Sequence, residues 1–252
     1  MNRQDEHFLK IKQIYPDVSA VYKPITPGCV RDVYIVENKT KKFVCRFSDS
    51  VTATHNLKIS ISLTAHGIPA PKVKVFAFDG AWCETYPFIE GKTLHERLLE
   101  GIKNDQLDNI YRQLLNISYK ISEIPYDKTF DVPLPFPSKI LRKIFAKLNP
   151  SSPKLIHGDL HAKNVVLDEK DNVRAILDLD AIYPESLSVA NMIIMKDAQT
   201  YGYDIQKFTK FDTYCDVNKI AKQLKTFSIA AKVYQTLFPN FVRKQILNIR
   251  AK

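Results

Sequence analysis

The most informative stretch of this 252-residue chain runs from Leu155 to Asp180, LIHGDLHAKNVVLDEKDNVRAILDLD. Asp159 and Asn164 share one loop, and a strand–turn–strand pattern, NVVLD then VRAILD, carries the chain on to Asp178. Transfer of a phosphoryl group asks for little covalent help from a protein. It does need a carboxylate beside the attacking hydroxyl and oxygen ligands for magnesium at the phosphates. One loop and one hairpin can supply both. His161 and Lys163 are candidates to touch the transferred phosphate or the substrate, the plainer reading being ordinary loop residues. His157 reads as a brace of the loop backbone, and Asp180 either as a helper at the metal or substrate or as a structural hydrogen-bonding group.

Two other chemistries compete for these residues. His157, Asp159 and His161 alternate at a spacing that transition-metal ligands also use, but the remaining histidines, His7, His55, His66 and His95, form no second cluster. GKT at 91–93 has the ending of a phosphate-binding Walker loop, yet Tyr86 stands where the earlier glycine is required. Both are set aside. The net charge of +10 invites polyanions. The excess gathers late, where ten lysines and arginines from Lys207 to Lys252 face only Asp204, Asp212 and Asp216, as on the solvated sides of amphipathic helices. No specific nucleic-acid partner is expected. Cys29, Cys45, Cys83 and Cys215 show no CxxC pairing, which suits reduced thiols and a cytoplasmic compartment. The start of the chain is polar, and no apolar run reaches the roughly 18 residues of a membrane span, so neither secretion nor a membrane partner is expected.

The elements that must position the loop can be read on either side of it. DVYIVE and KFVCRF, between Asp32 and Phe47, read as a hairpin turning at Asn38–Thr40. A helix follows from about Val51 to Ala65 and is stopped by Gly67 and Pro69. KVKVFAF and WCETYPF then read as strands turning at Asp79 and Gly80. After Gly91 helical periodicity takes over, in TLHERLLEG and from Asn104 to Ile124. A loop with Pro125, Pro133, Pro135 and Pro137 precedes the short strands around HGDLHAKN and AILDLD, and helices resume near Ser186 and Asp216.

In identity, order and spacing, His157, Asp159, Asn164 and Asp178 resemble the HxDxxxxN loop and metal aspartate of the aminoglycoside phosphotransferase and choline kinase superfamily, relatives of protein kinases. HGIPAPKV at 66–73 and YPFIEGKTL at 86–94 extend the likeness to that family's helix-to-strand link and hinge, roughly from Tyr22 to Tyr183. The resemblance implies an α+β, protein-kinase-like fold of two lobes. A β-rich nucleotide lobe with one helix would occupy residues 1–87, a hinge 88–93, and a larger, mainly helical lobe with the catalytic loop and substrate site 94–252. It implies ATP and Mg2+ as cofactors, Asp159 as the catalytic base, and Asn164 and Asp178 as magnesium ligands. The Pro87 carbonyl and Ile89 amide would contact adenine, with Tyr86 behind the ring. TPGCVRDVYIV resembles the nucleotide loop, Gly28 letting the backbone approach phosphate and Thr26 offering a hydroxyl. Arg46 stands where kinases keep a phosphate-binding lysine, and its guanidinium fork suits phosphate.

Two departures accompany the match. Kinases pair the strand cation with a glutamate of the following helix, whereas Asn56 occupies that place and no acid occurs between Asp49 and Asp79. Arg46 must be oriented by other means, and Asn56→Glu is then expected to have a modest effect. An aspartate that the family often keeps at the start of the helix after the metal aspartate is replaced near Ser188. The resulting expectation is an ATP-dependent phosphotransferase acting on a hydroxyl of a small molecule such as an aminoglycoside-like antibiotic, a sugar or an amino alcohol. Acids at Asp180, Glu185, Asp197, Asp204, Asp212 and Asp216 favour a cationic substrate and the global charge opposes one. The alternative is a degenerate kinase-like protein that binds nucleotide and acts through protein contacts. A protein kinase ranks lower, because no separate peptide-docking activation segment is evident between Asp178 and Ser186.

Overall fold

The computed structural model describes residues 3–23, 32–125 and 154–211, together with 216–218, 220, 222 and 225. Among these, residues 3–57 and 72–88 form one compact unit, and 58–71 with the residues from 89 onwards form a second. The helix read near Asp216 and the proline-rich loop beyond Pro125 lie largely outside the described residues, as do Cys29 and Cys215.

The first unit holds helix α1 (Arg3–Ile14) and strands β1 (Val18–Tyr22), β2 (Asp32–Asn38), β3 (Lys42–Ser48), β4 (Lys74–Phe78) and β5 (Ala81–Pro87). Their sheet is antiparallel throughout, in the order β1-β2-β3-β5-β4. Side chains of successive strand residues leave opposite faces. One face therefore collects Tyr34, Val36, Cys45, Phe47 and Cys83, which bury against Ile11 of α1. His7 of α1 stacks on Phe47 with ring centroids 3.8 Å apart and meets the Tyr34 hydroxyl through Nδ1 at 3.1 Å. The other face carries Val33, Val44, Arg46, Glu84 and Tyr86. Helix α2 (Ser50–Ala65) begins in this unit. Asp49 accepts from the Thr52 N–H (2.8 Å) and hydroxyl (2.9 Å), taking up a backbone donor that a helix start leaves unpaired. The helix stops where Gly67 turns left-handed and the Ile68 N–H reaches back to the Leu63 carbonyl at 2.9 Å.

The second unit contains β6 (Lys92–Thr93), α3 (Leu94–Leu99), α4 (Asn104–Glu123), β7 (Lys154–His157), β8 (Val165–Leu167), β9 (Val173–Ile176), β10 (Ile182–Glu185) and α5 (Leu187–Thr200). Thr93 and Glu96 close a capping box at the start of α3. The apolar stripe of α4, including Leu107, Ile110, Leu114 and Ile121, is buried, and the helix packs on β7 and α5. Strands β6, β8 and β9 form one antiparallel sheet, and β7 pairs with β10. Gly91, at φ +142°, admits this arrangement: a Cβ there would fall 2.2 Å from the Leu167 carbonyl oxygen. Among the described residues no helix is long and apolar enough to cross a membrane.

The turn between β8 and β9 is fixed by Asp171, which adopts φ +59° and is 4% exposed. Its carboxylate accepts from Arg97 Nε (2.7 Å) and Nη2 (2.9 Å) and from Gln106 Nε2 (2.8 Å), tying the hairpin to α3 and α4. Asp171→Ala removes all three bonds and places a Cβ-only residue in the left-handed region. We expect a loss of about 2 kcal/mol, read as a lower urea midpoint with an unchanged denaturant slope.

Candidate active site

The candidate catalytic loop begins where β7 ends. Ile182 of β10 is the register partner of His157, and the Gly158 N–H donates to the Ala181 carbonyl at 2.8 Å. Glycine comes next, and a Cβ on Gly158 would lie 2.1 Å from the Tyr183 hydroxyl oxygen, so a larger residue would require the Tyr183 ring to shift. His157 is fully buried. Its Nε2 donates to the Leu177 carbonyl at 2.8 Å and its Nδ1 accepts the Asp159 N–H at 3.2 Å. A carbonyl can only accept, so the proton sits on Nε2. Burial holds the imidazole below its ordinary pKa, and both ring nitrogens are committed to backbone, as a brace requires.

Asp159 stays partly exposed, and Asn164 Nδ2 donates to its Oδ2 (3.2 Å) and to its carbonyl (2.9 Å). That fixes the Asn164 amide with its oxygen as the atom left to face a cation. His161 caps a 3-10 turn over Ala162–Asn164 by accepting the Lys163 N–H on Nδ1 at 3.2 Å. Its Nε2 therefore carries the proton and points it at Asp159 Oδ2, 3.4 Å away, and this carboxylate raises the His161 pKa. Lys163 is exposed on the same turn.

Asp178 arrives from β9 in the left-handed conformation, at φ 62° and ψ 58°, which a non-glycine residue holds only where its neighbours impose it. They do so here. The Leu177 N–H donates to the Asn164 carbonyl (2.8 Å), the Leu177 carbonyl accepts from His157, and the Ala181 N–H closes on the Asp178 carbonyl (3.0 Å). Asn164 and Asp178 are thus joined through the backbone of Leu177. An amide oxygen and a carboxylate are hard donors, and Mg2+ typically takes one or two such protein ligands plus phosphates and waters. The pair fits that ion.

One support was not legible in the sequence. Asp197 of α5 accepts the Ala162 N–H at 2.8 Å and anchors the loop from below, with burial raising its pKa. Nearby, His95 Nδ1 of α3 meets the Tyr201 hydroxyl at 2.7 Å. In sequence Asp197 reads only as a pocket acid, because nothing in NMIIMKDAQT distinguishes a loop anchor from a surface carboxylate.

Of the residues expected at the nucleotide, Arg46, Tyr86 and Pro87 lie on the sheet of the first unit. Arg46 on β3 is directly opposite Glu84 on β5, and Val44 opposite Tyr86. Pro87 closes β5, and the following Phe88 donates its N–H to the Lys42 carbonyl at 2.9 Å, so the positions expected at adenine, Pro87 and Ile89, flank a residue already used by the sheet. Thr26 and Gly28 lie outside the described residues. Asn56 points its amide at Glu84 Oε2, 2.7 Å away, and Ser48 Oγ donates to Glu84 Oε1 at 2.6 Å. The helix lacks an acid, as read, but the neighbouring strand supplies one at the same place. Asn56→Glu, expected to be mild, would set two buried carboxylates against each other.

Residues 131–184 match the phosphotransferase enzyme family. No curated protein matches the sequence. Among solved structures, the chain is similar to the GDP complex of wild-type aminoglycoside 2'-phosphotransferase-IIIa, with 16% identity, 99% of this chain and 95% of that one covered, and a TM-score of 0.71. It is similar to the macrolide 2'-phosphotransferase from Brachybacterium faecium, at 12% identity with 98% and 95% covered and a TM-score of 0.63. The AMP-bound complex of spectinomycin phosphotransferase matches at 14% identity, 98% and 93% coverage and a TM-score of 0.63. The resemblance read from the catalytic loop is borne out, and the fold is the α+β, protein-kinase-like one of those enzymes.

The state of His157 can be checked by titration. Because its folded pKa is depressed below 6.5, the unfolded chain binds the proton first, so the stability it contributes above 6.5 is lost as pH falls through the folded value. We expect its ring to titrate at lower pH than an ordinary histidine and to show the neutral Nε2–H form until then. Titration at or above the ordinary histidine value would contradict the bracing geometry.

Proposed function

We propose that this chain is an ATP-dependent phosphotransferase that phosphorylates a hydroxyl of a small molecule. The observation that carries the reading is the Leu177 peptide, whose N–H is held by Asn164 and whose carbonyl is held by His157. It joins Asp159, Asn164 and Asp178 in one hydrogen-bonded element that has the donor types phosphoryl transfer uses.

In this reading Asp159 receives the hydroxyl proton as the substrate oxygen bonds to the γ-phosphorus and the bond to the ADP oxygen breaks. His161 and Asn164 hold Asp159 Oδ2, which directs Oδ1 to the hydroxyl. Asn164 through its amide oxygen and Asp178 through its carboxylate would hold magnesium, which, when bound, neutralises charge building on the phosphate oxygens. Lys163, exposed on the same turn, faces solvent as a group that meets the transferred phosphate must before substrate binds. Residues 1–87 would bind the nucleotide, with Arg46 on phosphate, Tyr86, Pro87 and Ile89 at the base, and Thr26 and Gly28 at the phosphate loop. Residues 88–93 would act as the hinge and 94–252 as the substrate lobe. The GDP and AMP complexes among similar structures support a purine nucleotide, and a kanamycin complex supports a polyhydroxylated small substrate. Sugars and amino alcohols share that chemistry. The degenerate-kinase alternative drew on Asn56, and the carboxylate at Glu84 weakens it.

Two variants separate the roles. Asp159→Ala should abolish transfer and leave ATP affinity within a few-fold, because a base contributes little to ground-state nucleotide binding. Asp178→Ala should lose the gain in ATP affinity that magnesium gives to the wild type, read by calorimetry. Turnover retained by Asp159→Ala would sink the assignment.

A further inference from the structure

Glu84 is 1% exposed, in the middle of β5, where a strand facing a helix ordinarily carries an apolar side chain. Its two oxygens receive hydrogen bonds from Ser48 Oγ (2.6 Å) and Asn56 Nδ2 (2.7 Å). These donors satisfy the carboxylate's geometry but bring no charge. A carboxylate held out of water needs a cation as well as hydrogen bonds. The residue directly opposite it in the β3–β5 ladder is Arg46. Directly opposed residues leave the same face of the sheet with Cβ atoms about 4.5–5.5 Å apart, within reach for side chains of this length.

Asn56 adds a second sign. It is 1% exposed, and its Oδ1 has no hydrogen-bond partner among the described residues. The helix position that would carry the partner of the strand cation thus holds an amide whose donor end is fixed on Glu84 and whose acceptor end is buried beside it. A carboxylate with an adjacent amide oxygen is an acceptor pair suited to a guanidinium fork.

We infer that Glu84 is the positioning counter-ion of Arg46, the acid having moved from the helix to the adjacent strand, with Asn56 and Ser48 holding it in place. The inference rests on the nucleotide reading above, in which Arg46 grips phosphate. It explains how the chain dispenses with an acid on α2: the cation's partner comes from the sheet that carries the cation, and the helix keeps only the neutral half of the contact.

Charge can be moved between the two positions at constant volume. Glu84→Gln keeps the shape of the site and removes its charge, its Oε1 accepting from Asn56 Nδ2 and its Nε2 donating to a rotated Ser48 hydroxyl. Asn56→Asp alone places a second carboxylate against Glu84, and the double variant Asn56→Asp/Glu84→Gln restores one charge, now on the helix. Affinities for ATP, ADP and adenosine are measured on all four proteins by calorimetry, with thermal unfolding alongside. We expect Glu84→Gln to bind ATP and ADP about ten-fold more weakly with adenosine unchanged, Asn56→Asp to lower the melting temperature, and the double variant to recover both melting temperature and most of the ATP affinity. A purely structural Glu84 would shift stability and leave the ATP-to-adenosine ratio alone, which would overturn the inference while sparing the nucleotide reading. Wild-type protein that binds none of the three ligands would overturn that reading and this inference with it.

Discussion

The Leu177 peptide is held at both ends by the loop it lies beside. Its N–H goes to the Asn164 carbonyl and its carbonyl to His157 Nε2, each at 2.8 Å. Around that grip the other features become necessary consequences. Asp178, the next residue, is turned into the left-handed region, and the closing bond from Ala181 keeps it there. His157 must be neutral with its proton on Nε2, and burial keeps it so. The chain passes close to the Tyr183 ring at Gly158, where a side chain would require that ring to shift. Asp197 then holds the far side of the loop at Ala162. Three groups that come from a loop and a hairpin are tied together by the backbone of Leu177, by His157 and by the Asn164 amide on Asp159.

Buried acids show how each unit handles a different cost. Asp171 sits in the second unit with a guanidinium and an amide on its oxygens, so charge and hydrogen bonding are met together, and the result is a structural knot. Glu84 in the first unit receives two neutral donors and stands across the ladder from Arg46. A residue in the first situation is complete. One in the second keeps a demand for positive charge, and that demand falls on a side chain assigned to phosphate. Both acids are nearly inaccessible to water, and the inferred pairing with Arg46 is what sets Glu84 apart.

Much of this was legible from residue order alone. The β2–β3 and β4–β5 hairpins, helices α2 to α4 and the β8–β9 hairpin follow from alternation, periodicity and turn residues, and each lies close to its expected bounds. Elements whose reason is tertiary were not. Helix α1 is polar along most of RQDEHFLKIKQI, and its seam of His7 and Ile11 acquires meaning only against Phe47 and Tyr34. Strand β1 is short, and β10 contains Pro184, which reads as a turn until β7 is there to pair with. In the site, spacing gave Asp159, Asn164 and Asp178, since one loop and one hairpin are local objects. Glu84 and Asp197 were missed as supports because a charged residue looks the same in sequence whether it is solvated or buried.

The proposed transfer of phosphate to a hydroxyl at this loop can be followed directly. The most direct measurement follows the phosphorus by NMR while the wild-type protein, ATP and Mg2+ are incubated with a panel of hydroxylated compounds that includes aminoglycosides, simple sugars and amino alcohols. The account predicts a new phosphomonoester resonance for at least one compound, growing in step with ADP and absent when magnesium is chelated. ATP that persists across the panel, or that yields only inorganic phosphate at the same rate with and without every compound, would contradict it.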